Sequence, residues 1–192
     1  MRRTIVGLLF AAALSCTACT SPPDKEMNQA RGAIEAARAA GADTYAPAEY
    51  KAAVEALKRS EDAVAQRDYR QALNSALDSR EQAENAARAA ADQKAAARSQ
   101  AEKELRDLQA TLDEARARLK AAETTRARRR ALQDERATVD GADASVQKAR
   151  TAMSQQDYLG ARAAMNGVGE QLRAAISRIA QVIEPPAARR RR

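Results

Sequence analysis

The chain has 192 residues, of which 31% are charged and 3% are aromatic, and it contains no histidine and no tryptophan. The absence of histidine excludes a histidine base, an imidazole metal ligand and a switch that titrates near neutral pH. Two cysteines are too few for a structural zinc site. A composition rich in alanine, glutamate, leucine and arginine is typical of long helices or coiled coils. We therefore expect an all-α protein without catalytic activity, cofactor or metal.

The N-terminus has the pattern of a secretory signal. Arg2 and Arg3 precede the apolar run TIVGLLFAAAL, residues 4–14, which has the length of a signal h-region and is too short to span a bilayer stably. The residues ALS then precede Cys16. This pattern resembles the bacterial lipobox, in which the cysteine thiol receives a diacylglyceryl group before the signal is cleaved. We predict a lipoprotein signal peptide over residues 1–15, with acylation at Cys16.

Cys19 is the alternative lipidation site, because threonine and alanine precede it directly. With either cysteine, residues 16–26 are expected to form a flexible, proline-bearing tether. The residue after the acylated cysteine would be Thr17 or Thr20. By resemblance to sorted Gram-negative lipoproteins, an aspartate there would retain the protein at the inner membrane. We therefore expect a lipid anchor in the outer membrane and a body that faces the periplasm.

Residues 27–100 are predicted to form an N-terminal domain of helical hairpins. Gly41 suits the C-terminal cap of a first helix, Pro47 the first turn of a second, and Asp68 the N-cap of a third. Residues at helical spacing predict the buried stripes. These are Met27, Ala30, Ile34 and Ala37 on the first helix, and Tyr50, Val54, Leu57, Glu61 and Val64 on the second, where Glu61 is the one polar interruption.

A long charged coiled-coil helix is predicted over residues 101–140, because neither glycine nor proline occurs between Asp68 and Gly141. Its seam would pack against the protein's own helices or against a second copy. The seam fails where Arg126 and Arg129 take the next two seam positions, so we expect a kink there. The seam residues are Ala101, Leu105, Leu108, Leu112, Ala115, Leu119 and Ala122.

The last part of the chain repeats an earlier segment. AVAQRDYRQAL, from residue 63, recurs as AMSQQDYLGAR, from residue 152. The shared turn predicts a C-terminal helical hairpin over residues 141–184, related to the first and similar in pattern to tetratricopeptide hairpins. Its apolar last helix would run from Met165 to Ile183 and end before two prolines. Residues 185–192 then form a basic tail that we expect to be disordered.

Two sets of residues are candidate partner contacts. Tyr69 and Tyr158 follow the repeated aspartates and either bind a partner or pack across a helix pair. The second set is the basic tail. Without the two signal arginines the chain holds 31 Lys and Arg against 26 Asp and Glu, and the tail supplies four of that excess. The tail either contacts phosphate groups of lipopolysaccharide or an anionic wall polymer, or is simply solvated. It consists of Arg189, Arg190, Arg191 and Arg192.

Residues 27–101 resemble an uncharacterised family of bacterial envelope lipoproteins, the domain-of-unknown-function family numbered forty-three ninety-eight. The resemblance lies in an alanine-rich helix that ends at Gly41, a Tyr-x-Pro-x-Glu restart at Tyr45, and the Asp-Tyr turn at Asp68. It implies a helical fold and an envelope location but no activity. Some relatives carry an OmpA-like peptidoglycan-binding domain after this region, and this chain has no mixed α/β segment that matches it.

These patterns together predict a lipid-anchored periplasmic scaffold or spacer. The alternative is an envelope adaptor that binds a protein or peptide in a groove between hairpins. The expected contacts are the membrane through acyl chains, an envelope protein or wall polymer, and self-association through the coiled segment. Nucleic acid is not expected, because the basic excess lies in the tail.

Overall fold

The computed structural model describes residues 21–124 and 126–183, and over these residues the chain forms helices and turns only. The predicted all-α fold is therefore confirmed. The helices in chain order are α1 Asp24–Ala39, α2 Ala42–Tyr45, α3 Pro47–Ala65, α4 Tyr69–Ala122, α5 Arg126–Ala131, α6 Gln133–Ser154, α7 Tyr158–Met165 and α8 Val168–Ile183.

The chain divides into two compact units, which we call the N-terminal unit (residues 1–93) and the C-terminal unit (residues 94–192). The 54-residue helix α4 begins in the first and ends in the second. The first helix starts at Asp24, inside the segment expected to be a tether. Asp24 and Glu26 lie in its first turn, where acidic side chains interact favourably with the helix dipole.

The predicted helix ends of the N-terminal unit are confirmed. Gly41 has φ +86°, a left-handed conformation that closes α1. Pro47 is the first residue of α3, where a missing N–H costs nothing. The Asp68 carboxylate accepts a hydrogen bond from the Gln71 backbone N–H at 3.0 Å and caps α4. The four-residue helix α2 was not predicted.

The buried face of α3 differs from the predicted stripe. Val54 is 42% exposed and Glu61 is also exposed, whereas small side chains one position away are buried. The reason is that α3 faces α4 through alanine and serine, and its larger side chains flank that contact. The predicted stripe of α1 is correct, with Ile34 half-buried. The buried residues of α3 are Ala53, Ala56, Ser60 and Ala63.

Two buried serines join α3 to α4. The Ser60 hydroxyl donates to the Ala72 carbonyl at 2.7 Å, and the Ser79 hydroxyl donates to the Ala53 carbonyl at 2.8 Å. Both serines have no exposed surface, so each hydroxyl needs a partner within the protein. A serine hydroxyl lies close to its own backbone, and these bonds therefore require a short distance between the two helix backbones.

In the C-terminal unit, the end of α4 packs against α6, α7 and α8. Arg116 of α4 pairs with Asp143 of α6 at 2.7 Å, and Arg178 of α8 pairs with Glu135 of α6 at 2.7 Å. The predicted seam is buried within the chain, except for the half-buried Leu105. The seam's partner is therefore the protein's own helices.

The break expected near Arg126 is present, since α4 ends at Ala122 and α5 begins at Arg126. The predicted boundary at residue 141 does not coincide with a break, because Gly141 lies inside α6. The predicted final helix is divided into α7 and α8 at Asn166 and Gly167, where Gly167 has φ +74°.

The two units share a pattern of burial. Positions 89 residues apart, the spacing of the repeated aspartates, are buried in both. In the N-terminal unit these positions hold mostly alanine or serine, and in the C-terminal unit several hold larger side chains. The matched pairs are Ala46/Glu135, Ala53/Ala142, Ser60/Ala149, Ala72/Ala161, Ala76/Met165, Ser79/Val168, Ala83/Leu172, Ala86/Ala175 and Ala90/Ile179.

The alanine interior predicts the effect of a larger side chain. Ala83 has no exposed surface and belongs to the alanine cluster of the N-terminal unit. We expect Ala83→Leu to lower the free energy of unfolding by about 1–3 kcal/mol, because the helices must separate to admit it. Ala91 is exposed on the same helix, so Ala91→Leu is the matched control. Urea unfolding followed by circular dichroism measures both. Equal stability of the two variants would contradict close packing at Ala83.

Candidate functional site

The repeated Asp-Tyr turns have the same backbone geometry. Arg67 and Gln156 both adopt φ +60°. The N–H of the following aspartate bonds back to the helix, from Asp68 to the Ala63 carbonyl and from Asp157 to the Ala152 carbonyl, each at 2.9 Å. These are Schellman-type helix ends, built on a residue other than glycine. Each aspartate then caps the next helix, so each turn ends one helix and starts the next.

The two candidate tyrosines are not equally accessible. Tyr158 is 7% exposed and packs at the start of α7, whereas Tyr69 is half-buried at the start of α4. The Tyr158 hydroxyl contributes, after Glu102, to the raised pKa of Arg98. The pKa of Arg98 is raised above its ordinary value, mainly by its hydrogen bond to Glu102 at 2.8 Å. The burial of Tyr158 favours packing as its role, and Tyr69 offers more of its side chain to solvent.

An open groove lies in the C-terminal unit where α7 gives way to α8. It has a volume of about 570 Å³ and is lined by α4 on one side and by the ends of α7 and α8 on the other. The Arg162 Nε donates to both carboxylate oxygens of Glu104, at 3.0 and 3.2 Å. This ion pair joins the two sides of the groove, and Asn166 and Gly167 line it beyond the end of α7.

The groove is lined by both acidic and basic side chains. Its acidic residues are Glu104, Asp107 and Glu170, and its basic residues are Arg162 and Arg173. Such a surface can hold a polar peptide segment through ion pairs and hydrogen bonds, but the lining contains no nucleophile and base in contact. The described residues also contain no group of three or more histidine, cysteine, aspartate or glutamate side chains placed to bind a metal.

Sequence reasoning missed this groove. The signal that could have located it is the MNGVG stretch at residues 165–169, because Asn-Gly is a strong turn signal inside an otherwise apolar helix. A second, smaller groove of about 380 Å³ lies between α4 and α6 and is almost entirely polar. There Arg116 and Asp143 already pair with each other.

The other predicted site residues lie outside the described part of the chain. These are the lipidation candidates Cys16 and Cys19, and the tail arginines Arg189, Arg190, Arg191 and Arg192. Among the described helices, none has the length and apolar character that crossing a membrane requires.

Comparisons of the chain with protein-family models, curated proteins and solved structures found no match. The resemblance to an envelope lipoprotein family therefore stays a prediction.

The turn geometry predicts opposite effects for two neighbouring glycine substitutions. Gln156 has φ +60° and Gln155 has φ −87°. We expect Gln156→Gly to raise the free energy of unfolding by up to about 1 kcal/mol, because glycine adopts the left-handed conformation without strain. Gln155→Gly should lower it by a few tenths to about 1 kcal/mol, because it only adds freedom to the unfolded chain. Thermal and urea unfolding measure both, and a loss of stability in Gln156→Gly would contradict the assignment.

The burial of the tyrosines predicts unequal effects of truncation. Tyr158→Ala should lower the free energy of unfolding by about 3 kcal/mol or more, since a buried aromatic side chain is removed. Tyr69→Ala should cost clearly less, because Tyr69 is half-buried. Chemical unfolding of the two variants tests this difference. If Tyr158→Ala folded as stably as the unmodified protein, Tyr158 would have to be assigned a role other than packing.

Proposed function

We propose that this protein is a lipoprotein of the Gram-negative outer membrane and that its helical body is a periplasmic scaffold or spacer. The observation that carries the proposal is the segment ALSCTACTSPP, residues 13–23, which follows a charged n-region and an apolar h-region. Acyl chains on Cys16, or on Cys19, attach the chain to the membrane. Each buried methylene contributes about 0.8 kcal/mol, so several chains hold the protein firmly.

The helical body supports a scaffold role. Its interior consists largely of alanine and a few larger aliphatic side chains, and its one buried carboxylate among the described residues, Glu135, is paired with Arg178. Arg31–Glu61 and Arg59–Asp78 ion pairs connect helices across the surface of the N-terminal unit. These side chains pair and pack with one another within the protein. This arrangement favours a structural role over a catalytic one.

The location follows from the residue after the acylated cysteine. Thr17 or Thr20 stands where the inner-membrane retention signal would require aspartate. The resemblance of residues 27–101 to envelope lipoproteins supports the same compartment. In that compartment the expected partners are envelope proteins or wall polymers.

An adaptor that binds a polar peptide is the second candidate function. The observation that favours it is the open groove of the C-terminal unit, which is lined by both acidic and basic side chains. The buried position of Tyr158 counts against the form of this proposal in which the tyrosines make the contacts. A groove-binding adaptor would instead use Asp107, Glu170 and Arg173.

Metabolic labelling with palmitate tests the lipid anchor. We expect label in the unmodified protein, no label in Cys16→Ala, and full label in Cys19→Ala, because only the acylated cysteine accepts the diacylglyceryl group. Membrane fractionation of the same strains should place labelled protein in the outer membrane and release Cys16→Ala from it. The reverse result for the two variants would move the site to Cys19. Absence of label from the unmodified protein, with unchanged localisation of both variants, would disprove the lipoprotein proposal.

A further inference from the structure

Positive charge is concentrated in the C-terminal unit and not in the tail alone. Residues 94–183 hold 17 Lys and Arg against 12 Asp and Glu, whereas residues 21–93 hold 10 against 13. The net charge of residues 21–183 is therefore small, although the N-terminal unit is negative and the C-terminal unit is positive over these residues. An uneven distribution of this kind creates a local potential that a summed charge does not reveal.

The excess is greatest at the end of the C-terminal unit where α4 stops and α6 begins. Helix α5 has the sequence RARRRA and lies between them. Its Arg129 and Arg130 side chains are exposed, as is Lys120 in the last turn of α4. We call the residues Lys120, Arg129 and Arg130 the arginine end.

Helix α8 reaches the same end of this unit. Arg178 of α8 donates to Glu135, near the start of α6, at 2.7 Å. Arg136, the next residue, donates to Glu123 just beyond α4 at 3.1 Å. Helix α8 ends at Ile183, five residues after Arg178, and therefore at the end of the unit where α4 stops and α6 begins.

Local carboxylates leave the arginine end uncompensated. Glu123 and Glu135 are taken by Arg136 and Arg178. Among the described residues, no carboxylate lies within ion-pair distance of Lys120, Arg129 or Arg130. Asp134 is the remaining acidic residue between Lys120 and Arg136, and it is exposed. The free cations can therefore interact with an external anion.

The character of the surface indicates the class of anion. Arginine, which supplies two of these three cations, binds phosphate in a bidentate manner. The cations lie on an exposed helix and at the end of its neighbour, and they do not surround an enclosed pocket. Such an open surface is better suited to bind many phosphate groups on another surface than to bind one small ion. Ile183 is 37% exposed at the end of α8, and Val182 is half-buried. Apolar side chains beside cations suit a lipid headgroup region, where they can enter the interface, better than a hydrated polymer.

We propose that the arginine end binds the phosphate groups of an anionic phospholipid surface and so forms a second membrane contact. This contact is separate from the acyl chains and extends the proposed scaffold function. It would let the protein connect two membranes or hold its C-terminal unit against one. Each basic residue near such a surface strengthens binding about fivefold at low salt.

A vesicle-capture experiment tests the proposal with the full chain. The protein is reconstituted into phosphatidylcholine vesicles, and flotation confirms its attachment. Capture of a second, fluorescent population, with or without phosphatidylglycerol, is then measured. We expect capture only of the anionic vesicles and its loss at high salt. Arg129→Gln with Arg130→Gln should weaken capture about tenfold or more.

The matched control is Arg106→Gln with Lys148→Gln, which removes the same charge from exposed positions elsewhere in the C-terminal unit. Circular dichroism verifies that both double variants are folded. Equal capture by the two, equal capture of neutral vesicles, or binding of soluble polyphosphate without capture of vesicles would each overturn the proposal. If the protein does not float with the first vesicles, the proposed lipid anchor is wrong. If it floats but does not capture the second vesicles, the proposed arginine-end contact is wrong, so the two failures are distinguishable.

Discussion

The contact between α3 and α4 is the constraint on which the N-terminal unit depends. Alanine side chains and two serine-to-carbonyl hydrogen bonds make this contact. Because the buried residues of α3 are alanine and serine, the two helix backbones can approach closely. A chain with few large apolar residues can fold in this way. The larger side chains lie at the margins, where Val54 and Leu77 remain 42% and 40% exposed.

The ends of the helices could be predicted from sequence, because local chemistry decides them. Gly41, Pro47 and Asp68 each act within one turn of the chain. The buried face of α3 could not be predicted, because the large residues and the small residues both recur at helical spacing, one position apart. Large apolar side chains usually mark the interior, and here the neighbouring helix selects the small ones. That choice depends on α4, which periodicity along α3 cannot reveal.

The repeat explains why the Asp-Tyr turns could be predicted from the sequence and why the groove could not. The two Asp-Tyr turns can be recognised in the sequence as a repeat. Their backbone hydrogen bonds are equivalent because the repeated residues adopt the same conformation. The groove arises where the repeat departs from itself. In the N-terminal unit α4 continues without interruption, whereas Asn166 and Gly167 interrupt the corresponding helix. A departure of two residues is a weak signal in a sequence without aligned relatives, although its physical effect is to open a groove of about 570 Å³.

Helix α5 is unfavourable in its length and in its charge, although alanine and arginine are good helix formers. Six residues are too few for an independent helix, and like charges four apart destabilise one another. The segment is held in place by its neighbours, with Leu132 fully buried immediately after it. The nearest partly or fully buried carboxylates, Glu123 and Glu135, stabilise the flanking helices through Arg136 and Arg178 and leave α5 charged. Local conflicts without a compensating gain in stability are expected where function requires them. At this end of the C-terminal unit, the anionic membrane surface that we propose would supply the missing negative charge.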